Sequence, residues 1–368
     1  MKILSALDIH YLIQELQFLI NSRVDKIYAP RKKELFIQLF ASGKGKFTLH
    51  IDEKSIYLTE QKPSSVQPSQ FCMYLRKKLD NSRLRNIRQI GFERILSFDF
   101  ETKAGTISLV SELFSKGNLI LLKDNKILTA SEYQNWKDRT IRPNIIYKHP
   151  EKEYDFLKLT QANFKKLLST TNKENIVKTL AIELGLGGVY SEEACLLSDI
   201  DKNKKAKDLT EKEISSLSKA LEKLRSMPLS PKIVYKNNEI HDLTPFELKF
   251  YEKQKQDSSK SYNEILNNYF SKFSVIKQKE KQLKQVKEIQ AIIQKQRQDI
   301  KKLETQELDS QKKAEKLYEN YKLVSEILKE LQKISKSHPW KEIQEKLKGN
   351  SMIKEVIPKD KSIVLELK

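Results

Sequence analysis

From residue 259 to residue 336 the chain contains neither glycine nor proline. A run that long, rich in Lys, Glu and Gln, predicts a single α-helix much longer than a globular domain. Its apolar residues give the period. Ala314, Leu317, Tyr321, Val324, Leu328 and Leu331 step by three and four, and the register runs back through Leu303, Ile300, Ile293, Ile289 and Val286, with polar breaks at Ser310 and Glu307. This is the heptad pattern of a coiled coil. An earlier set, Tyr262, Leu266, Tyr269, Phe273, Ile276 and Leu283, is out of phase with it and reads as a stammer near 283–286. About 75 helical residues span about 110 Å, and the apolar seam needs a covering helix. The chain offers no second run of that length. It is therefore read as a fragment, or as an arm whose covering helix lies elsewhere, with self-association through the seam as one outcome. His338-Pro339-Trp340 ends the helix, and a further module begins at 339–368 with a strand at Ser362–Leu367.

The residues before the arm predict an α+β fold. Ser5 is placed as N-cap of a helix over 5–20 that presents Leu12, Leu16 and Leu19 on one face. Strand-like runs follow at Arg23–Tyr28, Glu34–Phe40, Lys46–Ile51 and Ser55–Leu58. A second helix is expected over 68–80. Strands return at Arg85–Phe92, Arg94–Phe100, Thr106–Leu113, Asn118–Leu122 and Lys126–Ala130. Residues 161–230 read as helices: Gln161–Leu168, Lys173–Leu184, a glycine turn at 185–188, Ser191–Leu197, and a helix capped by Thr210 and Glu213. A strand pair at 232–235 and 239–243 follows, and Thr244-Pro245 opens another helical piece. The expected division is 1–160 strand-rich, 161–230 helical hairpin, 231–258 strand pair and linker, 259–338 coiled coil, and 339–368 the start of another domain.

Charge narrows the partners. Against 49 acidic residues stand 69 Lys and Arg, a formal net charge of +20 over 368 residues. Such an excess favours a polyanion, because each neutralised phosphate releases a counterion. A generally Lys-rich composition is the plainer explanation. Cys72 and Cys195 are too few for a disulfide framework or a four-ligand zinc site, and both read as buried thiols. No apolar run reaches the roughly 18 residues of a membrane span. The apolar start is broken by Asp8 and His10 and lacks a small-residue cleavage site, so a helix is expected there, in a cytoplasmic protein. His10, His149 and His241 have no partners at metal-ligand spacing. No catalytic constellation, cofactor motif or metal site is expected.

Several segments, in order, resemble the N-terminal part of the NFACT family, of the RqcH/NEMF type. They are Ser5-Ala6-Leu7-Asp8, Arg23-Val24-Asp25-Lys26-Ile27-Tyr28, Pro68-Ser69-Gln70-Phe71, Leu75-Arg76-Lys77-Lys78-Leu79, Gly91-Phe92-Glu93-Arg94-Ile95-Leu96 and Glu112-Leu113-Phe114-Ser115-Lys116-Gly117-Asn118-Leu119. The helical segment at Gly185-Leu186-Gly187-Gly188-Val189-Tyr190 is similar to the hairpin module of the formamidopyrimidine-DNA glycosylases. That chemistry is not implied, since it needs an N-terminal proline amine where this chain has Lys2, and a zinc finger that two cysteines cannot build. The resemblance implies an RNA-binding ribosome quality control factor, not an enzyme. Such a factor binds stalled large ribosomal subunits carrying peptidyl-tRNA, contacts rRNA, and recruits charged tRNA, alanyl in bacterial and archaeal relatives, for mRNA-independent tailing. The alternatives are a fibronectin-binding surface adhesin and a glycosylase-like DNA-binding protein without glycosylase activity.

For the residues themselves two readings stand side by side. Asp8 is a first-turn carboxylate favouring the helix dipole, whereas the resemblance gives it a part in tRNA recruitment. Glu93-Arg94 is an exposed charged pair on its own terms. The resemblance sets it where relatives carry Asp-Arg for tRNA recruitment, so the glutamate departs from the pattern and the arginine does not. Arg76, Lys77, Lys78, Arg83, Arg85 and Arg88, interleaved with Phe71 and Tyr74, are either a solvated basic face over core aromatics or an RNA-binding stretch. The Gly185, Gly187 and Gly188 turn either links two helices or exposes amides to a phosphate.

Overall fold

Ser5 starts the first helix by hydrogen bonding. Its hydroxyl accepts from the Asp8 amide at 3.0 Å and the Asp8 carboxylate accepts from the Ser5 amide at 2.8 Å, a reciprocal box that opens α1 (Ala6–Leu16). α1 is apolar on two sides. Ile9, Leu12, Ile13 and Leu16 enter the core beneath the sheet, while Ala6, Leu7 and Tyr11 enter a second core among the later helices. This double burial accounts for the apolar composition of the N-terminal run.

The computed structural model describes all residues except Met1, 62–66, Asp138, Glu151, Ser351 and Lys368; the side chains of 273–282, 284 and 285 also lie outside the described set. Contacts divide the chain into two units, Met1–Val275 and Ile276–Lys368.

In the first unit, β1 (Arg23–Arg31), β2 (Glu34–Ala41), β3 (Gly45–Ile51) and β4 (Ile56–Thr59) form an antiparallel meander. α2 (Gln70–Leu79), capped by Ser69, leads to a second meander of β5 (Arg83–Gln89), β6 (Ile95–Thr102), β7 (Gly105–Glu112), β8 (Asn118–Lys123) and β9 (Lys126–Ala130). The two halves join edge to edge in one nine-stranded sheet, β4-β3-β2-β1-β5-β6-β7-β8-β9, with Arg23 facing Arg83 at the seam. In β8 the alternation is apolar on both faces. Leu119 and Leu121 turn into the main core, whereas Ile120 and Leu122 pack with Ile95, Val110 and Ile127 on the other side.

A small hairpin, β10 (Gln134–Asn135) and β11 (Thr140–Ile141), precedes the helical module: α3 (Gln161–Thr170), α4 (Ile176–Ile182), α5 (Gly187–Ser198) and α6 (Glu211–Ser226). The capping box of Thr210 and Glu213 opens α6 as the sequence predicts. Then β12 (Lys232–Lys236), β13 (Glu239–Thr244) and β14 (Lys255–Ser258) form a sheet of order β13-β12-β14. The helix expected after Thr244-Pro245 is instead a single 3₁₀ turn, Lys249–Tyr251, followed by β14. The buried Glu193 carboxylate accepts from the amides of Lys249 and Phe250 at 2.9 and 2.7 Å and fixes the turn there.

The long helix differs from expectation in two ways. First, it is interrupted: α7 (Tyr262–Glu319) and α8 (Tyr321–Ile334) are separated at Asn320, whose backbone leaves helical geometry. Second, the start of α7 is core and not coiled coil. Tyr262, Ile265, Leu266, Tyr269 and Phe270 are buried in the main core. Their i, i+3, i+4, i+7, i+8 spacing is that of a helix lying on a globular surface. The expected stammer near 283–286 and the Phe273 and Ile276 side chains fall on or beside residues whose side chains lie outside the described set. Glu15 caps this helix from α1, accepting from the amides of Tyr262 and Asn263 at 2.6 and 2.8 Å. In the second unit Leu283, Val286, Ile289, Ile293, Ile300 and Leu303 are exposed. α9 (Trp340–Lys346) and the hairpin of β15 (Ile353–Ile357) and β16 (Ser362–Leu365) complete it.

Candidate nucleic-acid interface

A cleft of about 620 Å³ opens where α1, the β5–β6 turn and the helical module meet. Its lining includes Asp8, Glu93, Arg94, Gly185, Gly187 and Gly188, six residues from three separate stretches of sequence. Gln89 ties two of these stretches together. Its side-chain amide donates to the carbonyls of Ala6 and Glu93 at 2.9 and 2.8 Å, so the start of α1 and the Glu93-Arg94 bend are held as one piece.

Asp8 lies behind the floor of the cleft and is fully buried. Each carboxylate oxygen accepts two bonds. Oδ1 takes the phenols of Tyr190 and Tyr262 at 2.7 and 2.8 Å; Oδ2 takes the Ser5 amide at 2.8 Å and Lys2 Nζ at 3.1 Å. Four donors fill the acceptor capacity of a carboxylate. Lys2 also reaches Asp242 at 2.8 Å, and Asp242 accepts from the Tyr251 hydroxyl at 2.8 Å. Burial opposes the charge on Lys2, but the carboxylates of Asp8 and Asp242 overcome it and raise its pKa above the usual lysine value. The same burial, reinforced by Asp8, pushes the Tyr190 and Tyr262 phenols far above their ordinary range. The floor is therefore a fixed ionic cluster with no acceptor left over on Asp8.

The walls differ from the floor. Arg94 is half-buried on the bend before β6; its carbonyl accepts from the Leu113 amide at 2.8 Å. Among the described residues its guanidinium has neither a hydrogen bond nor an ion pair. Glu93 is paired with Lys152 at 2.9 Å. The same cleft is lined by the N-terminus of α5. The expected turn at 185–188 is shorter than predicted, because Gly187 and Gly188 already belong to the first turn of this helix. The first amides of a helix have no intrahelical acceptor, and the N-cap residue Leu186 supplies no side-chain bond. Gly185 and Gly187 have φ values of +72° and +76°, which a side chain would strain.

The other predicted residues lie elsewhere. Arg76 donates from Nε to the Ile27 carbonyl at 2.8 Å and lines a separate cavity with Lys77. Arg83, Arg85 and Arg88 project from the exposed face of β5, where Arg85 pairs with Glu101 and Arg88 with Asp99. Lys78 sits over the Tyr74 ring at 5.6 Å. Phe71 and Tyr74 are half-buried against the main core. Sequence reasoning missed Lys2, Lys152, Tyr190, Asp242 and Tyr262. No local pattern marks them, since each acts on a partner remote in the chain. His241 also borders the cleft. Among the described residues no cluster of His, Cys, Asp and Glu could hold a metal ion, and no helix is long and apolar enough to cross a membrane.

A family model described as NFACT N-terminal and middle domains matches residues 5–364. The chain belongs to the NFACT family. It is 32% identical over 94% of its length to the archaeal Rqc2 homolog aRqcH of Methanocaldococcus jannaschii, and covers 54% of that protein. It is 31% identical over 54% of its length to the ribosome quality control complex subunit NEMF homolog of Drosophila melanogaster, of which it covers 21%. The chain thus spans about half, or less, of these NFACT relatives. The N-terminal part of the fibronectin/fibrinogen-binding protein of Streptococcus suis shares the fold: TM-score 0.58, 22% identity, 73% of this chain and 99% of that one.

Proposed function

We propose that this chain is the tRNA-handling part of a ribosome quality control factor. It would act in the cytoplasm on large ribosomal subunits that still carry peptidyl-tRNA, recruiting charged tRNA, alanyl-tRNA in the first instance, for C-terminal tailing without mRNA. Family membership and the ribosome quality control names of the archaeal and fly relatives support the setting. The peptide bond would be made by the ribosome, so the chain's task is to bind and position tRNA.

The observation that carries this reading is the presence of two unused donors in the lining of one cleft. Among the described residues the Arg94 guanidinium has no hydrogen bond or ion pair, and the open amides of Gly187 and Gly188 stand at the positive end of α5. A planar guanidinium and a helix N-terminus both suit phosphate oxygens. Asp8 would contribute from behind, by locking α1 to Tyr190 of α5 and so fixing the cleft's width. Arg76, Lys77, Lys78, Arg83, Arg85 and Arg88 would serve a second contact with tRNA or rRNA backbone. The exposed heptad positions of α7 would pair with a second copy of the chain. The test is binding of purified chain to tRNA in an electrophoretic mobility assay at low salt. A retarded complex is expected; its absence would refute the reading.

A further inference from the structure

Arg94 follows an acidic residue in sequence and yet is not neutralised by it. The reason is Lys152, which comes from the segment ahead of α3 and takes the Glu93 carboxylate at 2.9 Å. The Lys152 side chain is 32% exposed and that of Glu93 20%, so the contact is partly sheltered at the glutamate end. Gly185 stands against the same ammonium. A Cβ built on it would lie 2.1 Å from Lys152 Nζ and 3.6 Å from the Phe92 carbonyl. Any side chain at 185 would displace Lys152 from this position. The glycine therefore meets two requirements, a positive φ and a space for the lysine.

The electrostatic consequence is specific. Neighbouring side chains on a bend can approach one another, and a free carboxylate beside a guanidinium reduces its attraction for an anion. With Lys152 engaged, the Glu93 charge is met by a third residue and the Arg94 fork is left open. We propose that Lys152 is a positioning residue: it holds Glu93 away from Arg94, in the space that Gly185 leaves, and thereby keeps Arg94 available to a nucleic-acid phosphate. This rests on the reading of the cleft as a tRNA site.

The test compares four versions of this 368-residue chain, the parent, Lys152→Met, Glu93→Gln and the double variant, for affinity toward uncharged bulk tRNA, with thermal melting of each as the check on folding. Lys152→Met should weaken binding by roughly tenfold, a change of about 1.4 kcal/mol. Glu93→Gln added to it should return the affinity to within about twofold of Glu93→Gln alone, because the competing charge is gone. A double variant as weak as Lys152→Met would mean that Lys152 touches the phosphate itself, and would overturn the proposal. So would a Lys152→Met chain that binds as the parent does. A parent that binds no tRNA would overturn the tRNA reading of the cleft, and this assignment with it.

Discussion

Tyr262 Oη donates to Asp8 Oδ1 at 2.8 Å, across 254 residues of sequence. The bond joins the first turn of α1 to the first turn of α7. With Glu15 capping α7 from the other end of α1, it fixes where the long helix leaves the first unit. Tyr262→Phe leaves one of the four acceptor positions of Asp8 empty in a buried site and should cost about 1–3 kcal/mol. Asp8→Ala removes one of the two carboxylates that face the buried Lys2 ammonium, together with the acceptor of the Tyr190 and Tyr262 phenols, and should cost more, about 3–5 kcal/mol. Urea denaturation of both variants checks the order. Equal stability of Asp8→Ala and parent would contradict the buried cluster.

The same cluster sets a pH dependence. Lys2, Tyr190 and Tyr262 all have pKa values raised in the fold. A raised group binds its proton more tightly in the folded state, so its contribution is complete below the unfolded pKa and is lost as pH rises through the folded one. Stability should therefore start to fall above about pH 10, where free tyrosine and lysine titrate. Denaturation midpoints between pH 7 and 11 measure it, and Tyr262→Phe should flatten the alkaline limb. An alkaline limb as steep as the parent's would remove Tyr262 from the account.

At the start of α6, Glu213 accepts from Lys204 at 2.7 Å and from the Thr210 amide at 2.7 Å. Lys204 first, and the Thr210 bonds next, hold its pKa at about 2. Its contribution is present above the ordinary glutamate range and disappears as pH falls toward that value. Thr210→Ala should raise the Glu213 pKa, seen in a side-chain carboxyl NMR titration, and cost about 1 kcal/mol of stability. An unchanged titration would show that the capping box does not hold the carboxylate.

Exposed Val286, Ile289, Ile293, Ile300 and Leu303 form the heptad seam of α7. If a second copy covers them, sedimentation equilibrium should show a dimer, and Ile293→Lys with Ile300→Lys should return it to monomer with little change in melting of the first unit. A parent that stays monomeric at high concentration would exclude this pairing.

Much of the fold was legible because its signals are local. Ser5 and Thr210 cap the helices they precede, and β1 to β9 fall on apolar runs bounded by turn residues. The packing of the start of α7 was not legible, because Tyr262 to Phe270 have a helical period whether they face a partner helix or a globular core; only the tertiary fold decides. The turn at Lys249–Tyr251 depends on Glu193, more than fifty residues earlier, and leaves no local trace. Arg94, Gly187 and Gly188, which line the candidate cleft, had been singled out from the sequence. Their distance from Arg83, Arg85 and Arg88 was not legible, since sequence proximity to Glu93 says nothing about which face of β5 a side chain uses. Lys152 was invisible for the same reason as Tyr262.

The most direct test of the tRNA reading is the affinity of the parent and Arg94→Ala for tRNA, measured from 50 to 200 mM salt alongside thermal melting. The parent should bind with an affinity that falls by orders of magnitude over that range, as expected for about six or more phosphate contacts. Arg94→Ala should melt within about 1 kcal/mol of the parent, since its guanidinium has no hydrogen bond or ion pair among the described residues, and should bind roughly tenfold or more weakly. Normal melting together with unchanged tRNA affinity in Arg94→Ala would contradict the account.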